Sequence, residues 1–416
     1  MSSFFLIDVS QVRIGMYIQL DVGWMRHPFP VNSFRITNQE QLDTLRSLNL
    51  AQVRWSPAKS DLAVQEESTA PQAQDSAPPV ESTPSPAASA PQDSTLQACE
   101  RRFSQATQDY VDIAAQAFNQ PQQARARTEA LVAASIEELL DHGEVVIRLL
   151  SEDVGVRSAL HPVNVMVLSL LLGRAQGLDS AQLHTLGLAA LLHDVGKQAL
   201  PAHVREPYAQ LSADEVMLYR SHVEESRDCI LHMGLPAAVA QAVAQHHERA
   251  DRSGFPARLE ASSWDKLGQI VALVNHYERL CNPSHGGACL TPHEALSVMF
   301  AQHQGKFDPG LLGIFIRMMG VYPPGSVVQL VDERYAIVVS VNPARPLRPR
   351  IVVYDRSIPK EQAQVWDLEE LPGVGIRRSL RPPQLPREVL DYLSPRQRIC
   401  YFFERAVGSM VSGGAV

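Results

Sequence analysis

The chain has 416 residues, 45% of them hydrophobic, a net charge of −8, and 29 prolines that cluster rather than scatter. That length suits two or three domains with a real core. The negative balance excludes general binding to nucleic-acid polymers, which depends on phosphate neutralisation by Lys and Arg. The longest apolar runs, such as Val165–Leu172, fall short of the roughly 20 residues of a membrane span, and the N-terminus carries no basic and apolar leader pattern. Cys99, Cys229, Cys281, Cys289 and Cys400 are scattered without a C-x-x-C pair, so they read as reduced thiols in a cytoplasmic protein.

Residues 1–57 read as a small mixed α/β module. "SSFFLIDVS" and "AQVRWS" have strand character, and Gly15 in "RIGMY" marks a turn or bulge. Thr37 and Glu40 have capping-box spacing before a helix with Leu42, Leu45 and Leu48 or Asn49 inward. Residues 58–98 are Pro/Ala/Ser/Gln-rich without aromatics and read as a disordered linker. Residues 99–150 regain helical periodicity as a connector, either a dimerisation stalk or a helix packed on the next domain. Residues 151–325 read as an all-α domain, with turns at Gly173, Gly177, Gly234 and Pro236. Residues 326–416 switch to β-branched, alternating stretches, "SVVQLV", "YAIVVSV" and "RIVVYD", with a last helix near 386–406. The fold class is therefore mainly α, with small strand-bearing modules at both ends.

Of 14 histidines, all but His27 and His142 lie between residues 161 and 303. His161 begins one apolar helix, the pair His193-Asp194 ends another, His222 lies in "YRSHVEES", and His246-His247 ends "VAQAVAQHH". Separate helices thus each present a ligand at one end of a bundle. Imidazole and carboxylate together suit Zn, Mn or Fe, and helix bundles commonly hold two such ions. Asp194 has the chemistry to bridge them, and Lys197 the charge to meet a phosphate. The bland reading is equally open on these residues alone: a His-Asp pair often just closes a helix, the histidine complementing the dipole.

"HPVNV", "LLHDVGK", "HHERADRSGFP" and the intervening "SH" have the order and spacing of the HD-GYP family, a branch of the HD phosphohydrolases, which this chain resembles over about 150–325. The N-terminal "GMYIQLDVGWMRHPFP" is similar to a module often fused in front of such domains. The resemblance implies two or three Fe or Mn ions and hydrolysis of cyclic di-GMP to the linear dinucleotide or GMP. It implies metal ligation by His161, His193, Asp194, His222, His246 and His247, catalytic roles for Asp194 and Lys197, and a signature loop of Asp251, Arg252, Ser253, Gly254, Phe255 and Pro256. It also implies a bacterial cytoplasmic signalling setting, with diguanylate cyclases or other signalling proteins as partners and a homodimer among the arrangements.

The chain departs from that pattern at several points. Asn275 stands at the last ligand position, where the family has Asp, and Glu278 replaces a second Asp. An amide oxygen brings no charge and holds a transition metal less strongly. Arg252 replaces a Gly, so the loop is either reshaped or strained there, and Phe255 replaces Tyr without its hydroxyl. "NPSHGG" (282–287) and Glu206 stand where the family has cations, and Arg157 where three-metal members have Glu. Two ions are expected rather than three. His184, His203, His232, His285, His293 and His303 match no ligand position, while His276 adjoins Asn275 and offers a substitute ligand. Three functions follow: a cyclic di-GMP phosphodiesterase, a non-catalytic signalling module that binds nucleotide or protein, or hydrolysis of another nucleotide.

Overall fold

A computed structural model describes residues 5–20, 33–36, 39–47, 50, 52–60, 90–141, 143–205, 211–283, 289–371 and 373–405. The chain divides into two compact units, Met1–Ala87 and Ala88–Val416. In the first, strands β1 (Phe5–Asp8), β2 (Tyr17–Gln19) and β3 (Ser33–Arg35), helix α1 (Gln39–Ser47) and strand β4 (Gln52–Ser56) form an antiparallel sheet in the order β1-β4-β2-β3 beside the helix. Leu42 and Leu45 face a core of Val9, Val12, Ile18, Leu20, Ile36 and Val53. Gly15 turns the chain at φ +94°, as the sequence predicts. Thr37, Leu48 and Asn49 lie outside the described residues, as does most of the expected linker. The helix that follows begins inside that linker's expected bounds, at Ala90.

The second unit is mainly α. It runs α2 (Ala90–Gln116), α3 (Pro121–Asp141), β5 (Val145–Leu149), α4 (Leu160–Ala175), α5 (Ser180–Leu192), α6 (Ala202–Arg205), α7 (Ala213–Arg220), α8 (His222–His232), α9 (Ala237–Ala244), α10 (Lys266–Cys281), α11 (Pro292–Gln302) and α12 (Pro309–Met319). Strands β6 (Val327–Leu330), β7 (Tyr335–Val341), β8 (Arg350–Val353), β9 (Val365–Asp367) and β10 (Ile376–Leu380), helix α13 (Arg387–Leu393) and strand β11 (Tyr401–Arg405) complete it.

Helix α4 is apolar on every side because it is central, and α5, α9 and α10 pack around this core. Arg157–Ala175 is long and apolar enough to cross a membrane by length and composition, yet 78% of that window is buried inside the protein, as for a core helix. Gly173 marks no turn. It lies within α4, where a Cβ would meet Leu186 Cδ2 at 2.7 Å, so its lack of a side chain lets α4 and α5 approach. Helices α2 and α3 pack on α4, α5 and β11, which answers to the packed reading of the connector.

Two expectations fail here for one reason. "VVIRL" at 145–149, read as helix, is strand β5, paired antiparallel with β11 and β7. The expected last helix stops at Leu393, and "YFFER" is β11. Each strand depends on a partner more than 190 residues away in sequence (Ile147 opposes Phe403 and Val341), and periodicity within a short apolar run does not separate strand from helix. The C-terminal sheet shares the helical core: Val327 and Ile337 face it, while their neighbours Val328, Ala336 and Val338 face a separate small cluster, the period-two alternation of a strand.

Asn164 locks β11 to α4. Its Nδ2 donates to Ile399 O at 3.0 Å, and its Oδ1 accepts from Tyr401 N at 2.9 Å. Asn282 supports the same residue by accepting from Ile399 N and donating to Ile399 O. Asn164→Ala leaves the Tyr401 N–H buried without its acceptor, a cost of about 1–3 kcal/mol. The urea midpoint of the variant should fall accordingly, and an unchanged midpoint would show that β11 is held by other means.

Candidate metal centre

The ends of four helices converge with α10. His161 lies in the first turn of α4, His193 caps the C-terminus of α5, His222 follows the end of α7, and His246 and His247 follow α9. The last carbonyls of a helix have no intrahelical partner, and three of these histidines use them. His193 Nδ1 bonds Ala190 O at 2.8 Å, His222 Nδ1 bonds Tyr219 O, and His246 Nδ1 bonds Val243 O at 2.6 Å. A carbonyl only accepts, so each Nδ1 carries the proton and each neutral ring turns a lone pair on Nε2 inward.

Those lone pairs meet around Asp194, which is 7% exposed. His222 Nε2 and His246 Nε2 are 3.2 and 3.7 Å from Asp194 Oδ1, and His161 Nε2 and His193 Nε2 are each 3.4 Å from Oδ2. His247 Nε2 lies 3.2 Å from His222 Nε2, and His161 Nε2 lies 3.1 Å from His193 Nε2. Two groups of ligand atoms result, Asp194/His222/His246/His247 and His161/His193/Asp194, each within 4.8 Å. Asp194 Oδ1 and His246 Nε2 are buried without a hydrogen bond among the described residues. Buried acceptors pointing at one another are costly alone and suit a divalent cation.

Burial dominates the acid–base behaviour. It pushes the His222 and His246 imidazoles down to about 4 and lowers His193 and His247 as well, with Asp194 opposing in part. For His161, burial would lower the ring, but the adjacent Glu278 and Asp194 carboxylates outweigh it and hold the ring above its ordinary value. For Asp194, burial would raise the carboxyl, but Lys197, His193 and Arg279 hold it well below the usual range.

A second layer fixes the rings, and the residue sequence alone singled out only by default is part of it. Glu278, 2% exposed, bonds His161 Nδ1 and accepts from Asn282 Nδ2 at 2.8 Å, the carboxylate–imidazole pairing that orients metal-binding histidines. Glu248, fully buried, accepts the backbone N–H groups of Ala257, Arg258 and Leu259 at 2.7–3.0 Å, tying the signature loop to the His246-His247 corner. Gly254 permits that closure: a Cβ there would lie 2.4 Å from His247 O.

Within the loop, Phe255 stacks on His247 at 4.5 Å between centroids, with the Arg220 guanidinium 5.0 Å from its ring. Asp251 accepts from Ser253 N and Oγ, Arg252 lies against Glu260 at 3.4 Å, and these three residues are exposed. Pro256 follows Phe255 through a cis bond. Arg252 holds a left-handed backbone at φ +63°, so this position of the loop is strained.

Lys197 pairs with Asp194 Oδ2 and lies 5.2 Å over the Tyr219 ring. Asn275 is buried among the ligands but faces an arginine: Arg279, one turn further along α10, donates from Nε to Asn275 Oδ1 at 3.0 Å and from Nη2 to Asp194 Oδ2 at 2.8 Å. Sequence reasoning missed Arg279; its i,i+4 spacing from Asn275 was the available signal. His276 is no substitute ligand. Its Nε2 is 2.9 Å from His303 Nδ1, and its ring leans on Phe307. His203 lies against Glu215, and His293 bonds Val321 O. Arg157 is exposed. Glu206 and most of "NPSHGG", including His285, lie outside the described residues.

Residues 117–311 match the HD domain family model, and residues 5–128 match a domain of unknown function, DUF3391. The chain is 28% identical over 356 residues to the cyclic di-GMP phosphodiesterase PA4108 of Pseudomonas aeruginosa, covering 84% of each. It is 28% identical over 148 residues to the cyclic di-GMP phosphodiesterase response regulator RpfG of Xanthomonas campestris pv. campestris, covering 34% of this chain and 38% of that one. It is 24% identical over 176 residues to the 3'3'-cGAMP-specific phosphodiesterase 1 of Vibrio cholerae, covering 42% and 40%. Among solved structures, Bd1817, a HDG"Y"P protein from Bdellovibrio bacteriovorus, aligns over 75% of this chain and 98% of its own at 16% identity and a TM-score of 0.39.

The depressed histidines set a pH dependence for the chelator-treated protein. Unfolded His222 and His246 take up protons below their ordinary 6.5, whereas the folded rings resist to about 4. The unfolded state therefore binds more protons in that window, and stability falls as pH drops from about 6.5 to about 4. His161, held above its ordinary value, acts in the opposite direction and only partly offsets this. Melting midpoints should decline as pH falls through that window. Midpoints that rise on acidification would contradict the buried, neutral rings.

Proposed function

We propose that this chain, an HD-domain protein with a DUF3391 module toward its N-terminus, is a metal-dependent phosphodiesterase that hydrolyses cyclic di-GMP. The carrying observation is the meeting of four imidazoles on the two oxygens of Asp194, with His247 beside His222 as a fifth, in a chain similar over 84% of its length to a curated cyclic di-GMP phosphodiesterase. Divalent iron or manganese suits this nitrogen–oxygen donor set, and Asp194, His222, His246 and His247 would hold it. Such an ion, when bound, acidifies water to supply a nucleophile near neutral pH and polarises a phosphoryl oxygen.

The chain's own residues do the rest. Helix-end carbonyls keep the inward nitrogens deprotonated, and Glu278 aims His161. Phe255 and the Glu248-anchored loop keep His247 from turning. Lys197 and Arg279 lie on the Oδ2 side of Asp194, where they would neutralise oxygens of a phosphodiester. In the reaction a water oxygen bonds phosphorus, the P–O3' bond breaks, and the 3' oxygen leaves with a proton. The linear dinucleotide is the first product and GMP the product of a second round. The same reading has the protein act in the cytoplasm, opposite diguanylate cyclases.

A second reading, nucleotide binding without turnover, draws on Asn275 and Arg279. A substrate panel that includes 3'3'-cGAMP separates substrate choice from loss of activity. Protein purified without oxygen and assayed with Fe²⁺ and with Mn²⁺ should release linear dinucleotide or GMP from cyclic di-GMP. The His193→Ala/Asp194→Ala variant should not, and Lys197→Ala should be slower by about 10²–10³-fold. Equal turnover by wild type and the double variant would sink the reading.

A further inference from the structure

We infer that Arg279 stands in for the second cation of this site, so that the protein holds one divalent ion, on Asp194 Oδ1, His222, His246 and His247. This rests on the metal-dependent reading above. The two oxygens of Asp194 have different surroundings. Oδ1 faces His222 Nε2 at 3.2 Å and His246 Nε2 at 3.7 Å, and both Oδ1 and His246 Nε2 lack a hydrogen bond among the described residues. Oδ2 faces His161 and His193, but it already receives the Arg279 guanidinium at 2.8 Å and the Lys197 ammonium.

Asn275 adds to the asymmetry. The one oxygen through which it would join a ligand set accepts from Arg279 Nε, and its Nδ2 is buried without a hydrogen bond among the described residues. A second divalent ion on His161 and His193 would have to share Oδ2 with two side-chain cations in a pocket of low effective dielectric, where like charges repel strongly. Glu278 is bonded to the far nitrogen of His161 and is not among the ligand atoms of that group. Among the described residues, no side-chain cation lies on Asp194 Oδ1, the carboxylate oxygen of the His222 group. Arg279 and Asn275 therefore act as a pair. The amide removes a negative charge, the guanidinium adds a positive one, and the half-site they face is closed to a metal.

Metal content tests this on the full-length protein. The chelator-treated chain is loaded with excess Mn²⁺ without oxygen, freed of unbound metal by gel filtration and assayed for Mn per chain, with an EPR spectrum of the same sample. Wild type should carry about one Mn²⁺ per chain with an uncoupled signal. Asn275→Asp/Arg279→Ala, which restores a carboxylate and vacates Oδ2, should carry about two with a spin-coupled signal. Arg279→Lys keeps the charge and should stay at one. Two ions in wild type, or in Arg279→Lys, overturn the inference and leave the metal-dependent reading standing. No bound ion in wild type defeats that reading, and the inference with it.

Discussion

Three backbone carbonyls, those of Ala190, Tyr219 and Val243, hold the protons of His193, His222 and His246 on the outward nitrogens. The centre depends on that constraint. A helix must end near the site for its last carbonyls to be available, and a histidine within three residues of that end finds one. The bundle brings several such ends together around the Asp194 carboxylate. The orphan acceptors of a helix terminus, ordinarily a liability left to water or caps, are thereby spent on fixing a tautomer. Once the outward nitrogens are committed and burial keeps the rings neutral, the inward lone pairs are left facing one another and Asp194, an arrangement that a cation would satisfy.

The surrounding layer is built from buried carboxylates with separate tasks. Asp194 is shared between imidazoles and cations, Glu278 orients His161, and Glu248 gathers three consecutive backbone N–H groups of the loop. None is left without compensation, which a low-dielectric interior demands. Phe255 shows how the loop serves the centre: it contributes a flat ring against His247 rather than a polar group, and a phenylalanine is sufficient for that contact. Asp251 and Arg252 point to solvent and to their own loop, whereas Lys197 and Arg279 bring their charges onto Asp194.

The clustering of His161, His193, Asp194, His222, His246 and His247 was legible in the sequence because their placement is local. A His-Asp pair or a His-His pair at the end of an apolar run places its side chains by helix geometry alone, so the same histidines that close helices also turn their inner nitrogens toward Asp194. What was illegible depended on direction or distance. Arg279 looked like an ordinary basic residue in the last turn of α10, since only the packed structure turns it inward onto Asp194. His276, beside Asn275 in sequence, is rotated a third of a turn away to His303, as helical spacing requires. Strand β5 reads as helix until β11 and β7 are placed beside it. Arg252 was legible as a strained position, but which of reshaping or strain prevails depends on the Glu248 anchor that holds the loop.

The most direct test of the centre is the melting midpoint of the full chain in chelator, in Mn²⁺ and in Fe²⁺, beside Asp194→Asn. An ion that binds only the folded protein raises the midpoint by mass action, about 2.7 kcal/mol at a hundredfold excess over its dissociation constant. The account predicts a clear rise with either metal in wild type and little in Asp194→Asn. A midpoint in wild type that ignores the metal would contradict it, and would leave the five imidazoles as packing around a buried carboxylate.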